Sequence, residues 1–192
     1  MATTVCQFTT NLPKQFLSEP DVLQKSTIKG AAPTMVRNSK HHFFSADDWI
    51  GGFIWHYVNR ANIQNFQYDL LTYDNNQLQY TVYEEGCYYD WHVDADIRDS
   101  SSSMQPIASN RKSSVTTEYI RKLSFSLQLS DENDYGGGEL QILRGINSDL
   151  ITVPKLCGTL VIFDSRLPHR VRKVKSGIRK SLVGWIIGPR WR

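Results

Sequence analysis

Two hydrophobic periods divide the chain. From Ser45 to about Arg60, apolar residues recur at helical spacing. Trp49, Phe53 and Tyr57 repeat every four positions, as do Ile50, Ile54 and Val58. A stripe of this kind is the buried face of an amphipathic helix. Ser45-Ala46-Asp47-Asp48 has capping-box spacing, with an acidic residue three after the serine, and predicts the helix start. Gly51 and Gly52 weigh against a helix here. The pattern predicts a scaffold helix on the outside of a sheet. His56 on that helix, and His41 and His42 before it, are expected to be structural.

From Leu78 the period falls to two. Leu78, Tyr80 and Val82 share one face; Gln79, Thr81 and Tyr83 share the other. Over 121–130, Leu123, Phe125, Leu127 and Leu129 alternate with Ser124, Ser126 and Gln128. Such a strand is half buried. Its polar face meets bulk water or lines an interior that holds polar ligands. The closing strand favours an interior. There Arg179, Ser181, Val183 and Trp185 share one face, opposite Lys180, Leu182, Gly184 and Ile186. An arginine in line with a valine and a tryptophan points to a lined pocket. Further short strands are expected at 139–143, 150–153, 159–163 and 169–174. Many short strands separated by turn signals predict a mainly β sandwich or barrel.

The remaining stretches are less patterned. Residues 1–44 are read as a flank, with a short helix starting at Phe16-Leu17, an extended run at 31–37 and a strand or two beside the main sheet. Gly136-Gly137-Gly138 lacks the Lys-Ser/Thr and the helix that a phosphate loop requires, so it reads as a loop into the next strand. Residues 99–117 are rich in Ser, Thr and Lys/Arg and read as a long loop. A lid over the site and a plain insertion both fit that composition.

A length of 192 residues suits one domain spanning 1–192, with its core in 45–192. The net charge of +3 is too mild to imply nucleic acid. Basic residues do cluster from Arg166 through Arg170, Arg172, Lys173 and Lys175 to Arg179 and Lys180. They read mainly as a solvated strand face, with an anionic substrate as the alternative. Three cysteines with no metal spacing fit a reducing cytoplasm. The absence of a basic leader or a long apolar run predicts a soluble protein without membrane association.

Chemistry concentrates at two places. His92 and Asp94 stand two apart in Tyr88-Tyr89-Asp90-Trp91-His92-Val93-Asp94, so on a strand they would face the same way. His169 lies 75 residues beyond Asp94. A His-x-Asp pair alone is a weak signal. Arg179 follows His169 by ten residues and Ser181 by two more; a turn at Ser176-Gly177 would fold Arg179 back beside His169. Two histidines and a carboxylate on one face of a metal form the triad of non-haem Fe(II) oxygenases, which leaves positions open. Such a triad beside an arginine suits a chelating dicarboxylate.

On these residues the chain resembles the Fe(II)/2-oxoglutarate-dependent dioxygenases, in their prolyl 4-hydroxylase-like branch, and it is similar to small hydroxylases of that branch encoded by bacteriophages. The matching stretches are Gln79 to Gly86, the His-x-Asp segment, Arg121 to Ser130, Asp134 to Leu140 and Gly158 to Trp185. They fall in the family's order across residues 45–188. The resemblance implies a double-stranded β-helix, or jelly roll, with one or more supporting N-terminal helices. It implies Fe(II) held by the catalytic residues His92, Asp94 and His169. Arg179 would take the far carboxylate of 2-oxoglutarate, aided by Ser181 and Tyr83. Gln128 stands where relatives often carry a tyrosine that touches this co-substrate. Trp185, with Ser124 and Ser126, would wall the pocket.

The implied reaction hydroxylates a substrate, most naturally a prolyl residue of a peptide or protein, and yields succinate and carbon dioxide, with ascorbate as reductant. The presence of Asp94 favours hydroxylation over halogenation. A free amino acid or small metabolite is the rival substrate. A non-catalytic cupin-like module is disfavoured by the complete residue set. Nucleic-acid demethylases of this fold carry Arg-x-Asn-x-Thr-x-Arg, whereas Arg179 to Trp185 has neither that Asn nor the second Arg. The expected compartment is the cytoplasm, that of the host if a phage encodes the chain.

Overall fold

The computed structural model describes residues 5–13, 16–26, 37–95, 119–144 and 149–191. The extended run expected at 31–36 and the segment 99–117 lie outside them. In chain order the described strands are β1 (Val5–Thr9), β2 (Gln24–Ser26), β3 (Arg37–Ser45), β4 (Thr72–Tyr73), β5 (Gln77–Tyr83), β6 (Tyr88–His92) and β7 (Tyr119–Gln128). They continue with β8 (Tyr135–Gly137), β9 (Leu140–Arg144), β10 (Asp149–Thr152), β11 (Thr159–Asp164), β12 (His169–Val171), β13 (Val174–Gly177) and β14 (Arg179–Pro189). Helix α1 (Trp49–Ala61) precedes β4.

The strands form a curled antiparallel sheet in the order β1-β11-β7-β14-β5-β3-β6-β12-β9-β10. β3 makes the corner. Its residues Lys40 to Ser45 pair with β5, while Arg37 and Asn38 pair with β6. The sheet therefore folds into two walls, β1-β11-β7-β14-β5-β3 and β6-β12-β9-β10, with space between them. This is a jelly roll.

Alternation along the strands builds two cores. Leu123, Phe125 and Leu127 of β7, with Leu182 and Ile186 of β14, face outward onto α1, which buries Ile50, Ile54, Val58 and Ala61. Each such buried aliphatic side chain contributes roughly 1.5–3 kcal/mol. Between the walls, Ile142, Val161, Phe163 and Val174 form the second core. The polar side of β7 thus turns into the protein, where Ser124, Ser126 and Gln128 are buried.

The helix starts differently from its sequence signal. Ser45 belongs to β3, Asp48 is the N-cap residue, and no side chain caps the helix. The Ser45 hydroxyl instead accepts from the Asp47 amide at 3.2 Å, because strand pairing with β5 holds its backbone extended. Gly51, which weighed against a helix, is what lets it dock. A Cβ there would lie 1.9 Å from the Ala46 carbonyl oxygen, whereas one at Gly52 would meet nothing within 4 Å. Gly51→Ala is therefore expected to destabilise by about 1–3 kcal/mol or more through overpacking. Gly52→Ala should stabilise by roughly 0.5–1 kcal/mol through helix propensity. Thermal unfolding of both variants checks this; a drop for Gly52 or none for Gly51 would contradict the packing.

Other expectations also change. Phe16 and Leu17 start no helix; they are irregular and pack on the α1 core. Gly136 and Gly137 of the triple glycine end β8, paired with β13, and positive φ at Gly137 and Gly138 lets the chain press against the Lys173 carbonyl. The single strand expected over 169–174 is split into β12 and β13. His41 accepts or donates at Ser26 Oγ (2.8 Å) and His42 lies 3.2 Å from the Val22 carbonyl.

Only part of the basic run is a solvated face, with Arg166, Arg172, Lys173 and Lys175 exposed. Arg166 pairs with Asp164, Arg170 bonds Gln141 and stacks over Trp91, Lys180 meets Glu19, and Arg179 is buried. Burial alone would raise the Asp164 carboxyl, but hydrogen bonds from Arg166 and Tyr68 outweigh it and hold the pKa below its ordinary 3.8. A folded-state pKa below the unfolded one stabilises at neutral pH, and the contribution fades as pH falls through the depressed value. Asp164→Asn should therefore flatten the loss of stability below about pH 4, as read from denaturant midpoints across the acid range. An unchanged slope would show that this carboxylate is not coupled to folding.

Candidate active site

β6 and β12 pair with His92 directly opposite His169. Asp94 is not on the strand that its spacing suggested, since β6 ends at His92. A turn brings it in instead, held by Asp94 and Ala95 amides that donate to the Ser165 carbonyl at 3.0 and 2.9 Å. The carboxylate then sits between the rings, with Oδ1 3.7 Å from His92 Nε2 and Oδ2 3.3 Å from His169 Nε2. The three potential ligand atoms lie within 4.8 Å of one another.

Both rings are turned for ligation. His92 Nδ1 is 2.8 Å from the Asp90 carbonyl and His169 Nδ1 is 3.0 Å from that of Leu167. A carbonyl only accepts, so each Nδ1 carries the proton and each Nε2 keeps a lone pair toward the shared centre. Tyr89 stacks on His92 at 3.5 Å, and Phe163 meets His169 edge-on at 4.8 Å. Burial, aided by the neighbouring His169, pushes His92 down to about 4 against the pull of Asp94. Burial would also lower His169, yet Asp94 raises it above its usual value. Burial opposes ionisation of Asp94, but the two imidazoles outweigh it and keep the carboxyl well below the carboxylate range.

Behind the triad lies a hydroxyl relay. Ser124 Oγ donates to Asp94 Oδ2 at 2.7 Å and touches Ser165 Oγ at 2.8 Å. Ser124 is thus no pocket wall, because the alternation of β7 aims it at the carboxylate. Partners that orient a ligating group typically matter 10–100-fold in metal affinity. Ser124→Ala should weaken Mn(II) binding by about tenfold while leaving the fold intact. Calorimetric titration with the metal alone decides; an unchanged affinity would make the relay irrelevant.

A cleft with roughly 490 Å³ of empty space, part of it open to solvent, runs from the triad between the two walls. Arg179, Ser181, Val183 and Trp185, the shared face of β14, all line it, as do Tyr83 and Ser126. Arg179 reaches this place from the opposite wall. The turn at Ser176-Gly177 does not fold β12 onto β14; β13 pairs with β8, and β14 lies between β5 and β7. Arg179 is 2% exposed, donates from Nη1 to Ser181 Oγ at 3.0 Å and lies over the Tyr83 ring at 5.5 Å. Its Nε has no partner among the described residues. A buried charged donor without a partner is costly unless a ligand supplies an acceptor. Trp185 is held by Arg121, stacked on it at 3.9 Å and tied to Asp74. Gln128 does not line this cavity; its amide is taken up by the Ser130 carbonyl and the Tyr135 hydroxyl.

Several site residues escaped the sequence. Ser165 carries no pattern of its own, and only the register shows it behind Asp94. Arg37, stacked on Tyr89 at 4.9 Å, lines the cavity mouth from the flank expected to be peripheral. Tyr89, three residues before His92, was legible as part of the aromatic run but not as its stacking partner.

Two neutral imidazole nitrogens and one carboxylate at one end, and at the other a buried guanidinium whose Nε has no partner among the described residues, fit a divalent metal with a chelated dicarboxylate. Residues 78–187 match the 2OG-Fe(II) oxygenase superfamily. A PKHD-type hydroxylase of Synechococcus sp. (strain CC9902) is 37% identical over 105 residues, covering 54% of this chain and 37% of that protein. The match thus spans little more than a third of that relative's length. A prolyl hydroxylase from Trichoplax adhaerens, solved with a hypoxia inducible factor oxygen degradation domain peptide fragment, aligns with TM-score 0.66. Its identity is 15%, over 96% of this chain and 84% of that one. A viral collagen prolyl hydroxylase from Paramecium Bursaria Chlorella virus-1, solved with 2OG, aligns with TM-score 0.57 at 22% identity over 80% of each chain. At these identities the structural likeness speaks for the fold alone.

The chain belongs to the 2OG-Fe(II) oxygenase superfamily, and its jelly roll is that of the prolyl 4-hydroxylase-like oxygenases. The family implies Fe(II) and 2-oxoglutarate. Among the described residues no helix is long and apolar enough to cross a membrane.

Proposed function

We propose that this chain is one 2-oxoglutarate-dependent dioxygenase domain that hydroxylates a prolyl residue in a peptide or protein. The observation that carries the reading is the pairing of two ends in one cavity: His92, Asp94 and His169 converge at one, and at the other buried Arg179, bonded to Ser181, keeps an Nε with no partner among the described residues. His92, Asp94 and His169 would hold Fe(II). Arg179 and Ser181 would hold the far carboxylate of 2-oxoglutarate, with the Tyr83 ring beneath the guanidinium. When bound, the iron, 2-oxoglutarate and oxygen together supply the chemistry that converts a substrate C–H to C–OH, with release of succinate and carbon dioxide.

The chain's own part is placement and exclusion. The backbone carbonyls of Asp90 and Leu167 fix the tautomer of each imidazole, and Ser124 fixes the carboxylate. Phe163, Val183 and Trp185 give the cavity an apolar lining that limits water near the reacting centre. Trp185, held by Arg121, offers a rigid flat surface in the cavity on which a pyrrolidine ring can pack. A peptide is favoured over a free amino acid because the Trichoplax protein of this fold was solved with a peptide fragment. Cys6 and Cys87, buried and outside any disulfide among the described residues, support a reducing, cytoplasmic setting.

The test is a screen of proline-containing peptides with Fe(II), 2-oxoglutarate and ascorbate, read by mass. A gain of one oxygen that requires 2-oxoglutarate is expected on a prolyl residue. Oxidation of free amino acids alone would move the reading to a small-molecule hydroxylase, and no turnover with tight metal binding would leave a binding module.

A further inference from the structure

Beside Arg179, in the small pocket that both residues line, the Tyr135 hydroxyl is met by a donor. Tyr135, at 5% exposure, accepts a hydrogen bond from Gln128 Nε2 at 2.9 Å. The Gln128 amide cannot be turned around. Its nitrogen also donates to the Ser130 carbonyl at 3.3 Å, and the reversed amide would set oxygen against oxygen. The Arg179 guanidinium lines the adjoining small pocket with Tyr135, draws the phenol pKa down from nearby and can only donate. The Tyr135 oxygen therefore receives, and its own proton has no acceptor among the described residues. Burial raises the Tyr135 pKa beyond what Arg179 and Gln128 take back, so the phenol is protonated near neutral pH.

The fold goes to some length to make this contact. Lys155 Nζ donates to the Tyr135 carbonyl at 2.8 Å and sits over the ring at 4.0 Å, which fixes its direction. Gly138, at φ +65, packs against both side chains. A Cβ there would lie 3.0 Å from Tyr135 Cε2 and 3.2 Å from Arg179 Cδ. The last residue of the triple glycine is what allows the two side chains to close over one stretch of backbone.

We propose that Tyr135 donates its phenolic proton to the far carboxylate of 2-oxoglutarate, as a third arm beside Arg179 and Ser181. This rests on the co-substrate reading above. Two carboxylate oxygens offer about four acceptor sites, enough for the guanidinium, the serine and the phenol together. It also accounts for Gln128. Where related enzymes place a tyrosine on the β7 strand, this chain brings one from β8, and Gln128 holds it by the oxygen.

The experiment is calorimetric titration of Mn(II)-loaded parent and Tyr135→Phe with 2-oxoglutarate and with 2-oxopentanoate, which keeps the chelating end and lacks the far carboxylate. Tyr135→Phe is expected to bind 2-oxoglutarate about tenfold or more weakly, since a hydrogen bond to a charged group is lost. Its affinities for 2-oxopentanoate and Mn(II) should be unchanged. Equal 2-oxoglutarate affinity in parent and variant overturns the proposal, as does an equal loss for both acids. A parent that binds no 2-oxoglutarate sinks the co-substrate reading instead. A crystal structure of the parent with Mn(II) and 2-oxoglutarate gives a second reading that needs no substitution. The Tyr135 hydroxyl should lie about 2.5–2.7 Å from a far-carboxylate oxygen, and a water or a side chain in that place would overturn the assignment.

Discussion

Asp94→Ala is expected to abolish tight Fe(II) or Mn(II) binding. Asp94 is the one anion of the three converging groups, and two neutral imidazoles cannot offset the desolvation of a divalent cation on their own. It is also already arranged for the task. The carboxylate is ionised far below neutral pH, and its backbone is pinned by two hydrogen bonds to the Ser165 carbonyl. Binding therefore costs it neither a proton nor a large loss of freedom. Partners that merely orient a ligand are worth 10–100-fold, so loss of a ligand should weaken the metal by at least about 100-fold. A metal that binds only the native state raises its stability, so the parent should melt higher when Mn(II) is added. That shift should vanish in Asp94→Ala, and calorimetry should show no saturable Mn(II) site. A retained shift of parental size would mean that the metal sits elsewhere.

Much of this site was legible because alternation survives folding. The faces of β7 and β14 were correctly separated by period two, since each strand has one side against α1 and the other against the cavity. What period two cannot give is distance along the face. Ser124, Ser126 and Gln128 share a side, yet one meets Asp94, one lines the cavity and one turns away to Tyr135. Sequence neighbourhood misled in a related way. A turn at Ser176-Gly177 suggested that Arg179 folds back beside His169. In the fold β8 captures β13, and Arg179 faces the triad from across the cavity.

The misread stretches share a cause. Ser45 looks like a helix cap only while its pairing with β5 is unknown, and Gly51 looks like a helix breaker only while the Ala46 carbonyl is unseen. Gly136 and Gly137 read as loop residues because the β8–β13 pairing that makes them a strand is long-range. Local propensity is a weak prior where tertiary contacts decide.

Arg179→Lys should separate the two halves of the site. The residue opens β14, paired with Tyr83 of β5 and two before Ser181, which is paired on both sides, so its backbone has little freedom to follow a shorter head group. Lysine keeps the charge but replaces a planar fork by a point donor, and it loses the geometry that matches both oxygens of a carboxylate. At 2% exposure it also gives up part of its charge, because burial disfavours the protonated amine. The Ser181 hydroxyl, now oriented by Arg179 Nη1, would lose its partner as well. Together these effects predict 2-oxoglutarate binding weaker by roughly 10–100-fold. Metal binding should stay within about threefold of the parent, as Arg179 touches none of the triad. Binding of 2-oxopentanoate, which has no far carboxylate, should change little. The three titrations on one pair of proteins decide the matter. Equal 2-oxoglutarate affinity would show that another residue carries the far carboxylate, and a parallel loss of metal would show that Arg179 supports the fold of the whole cavity.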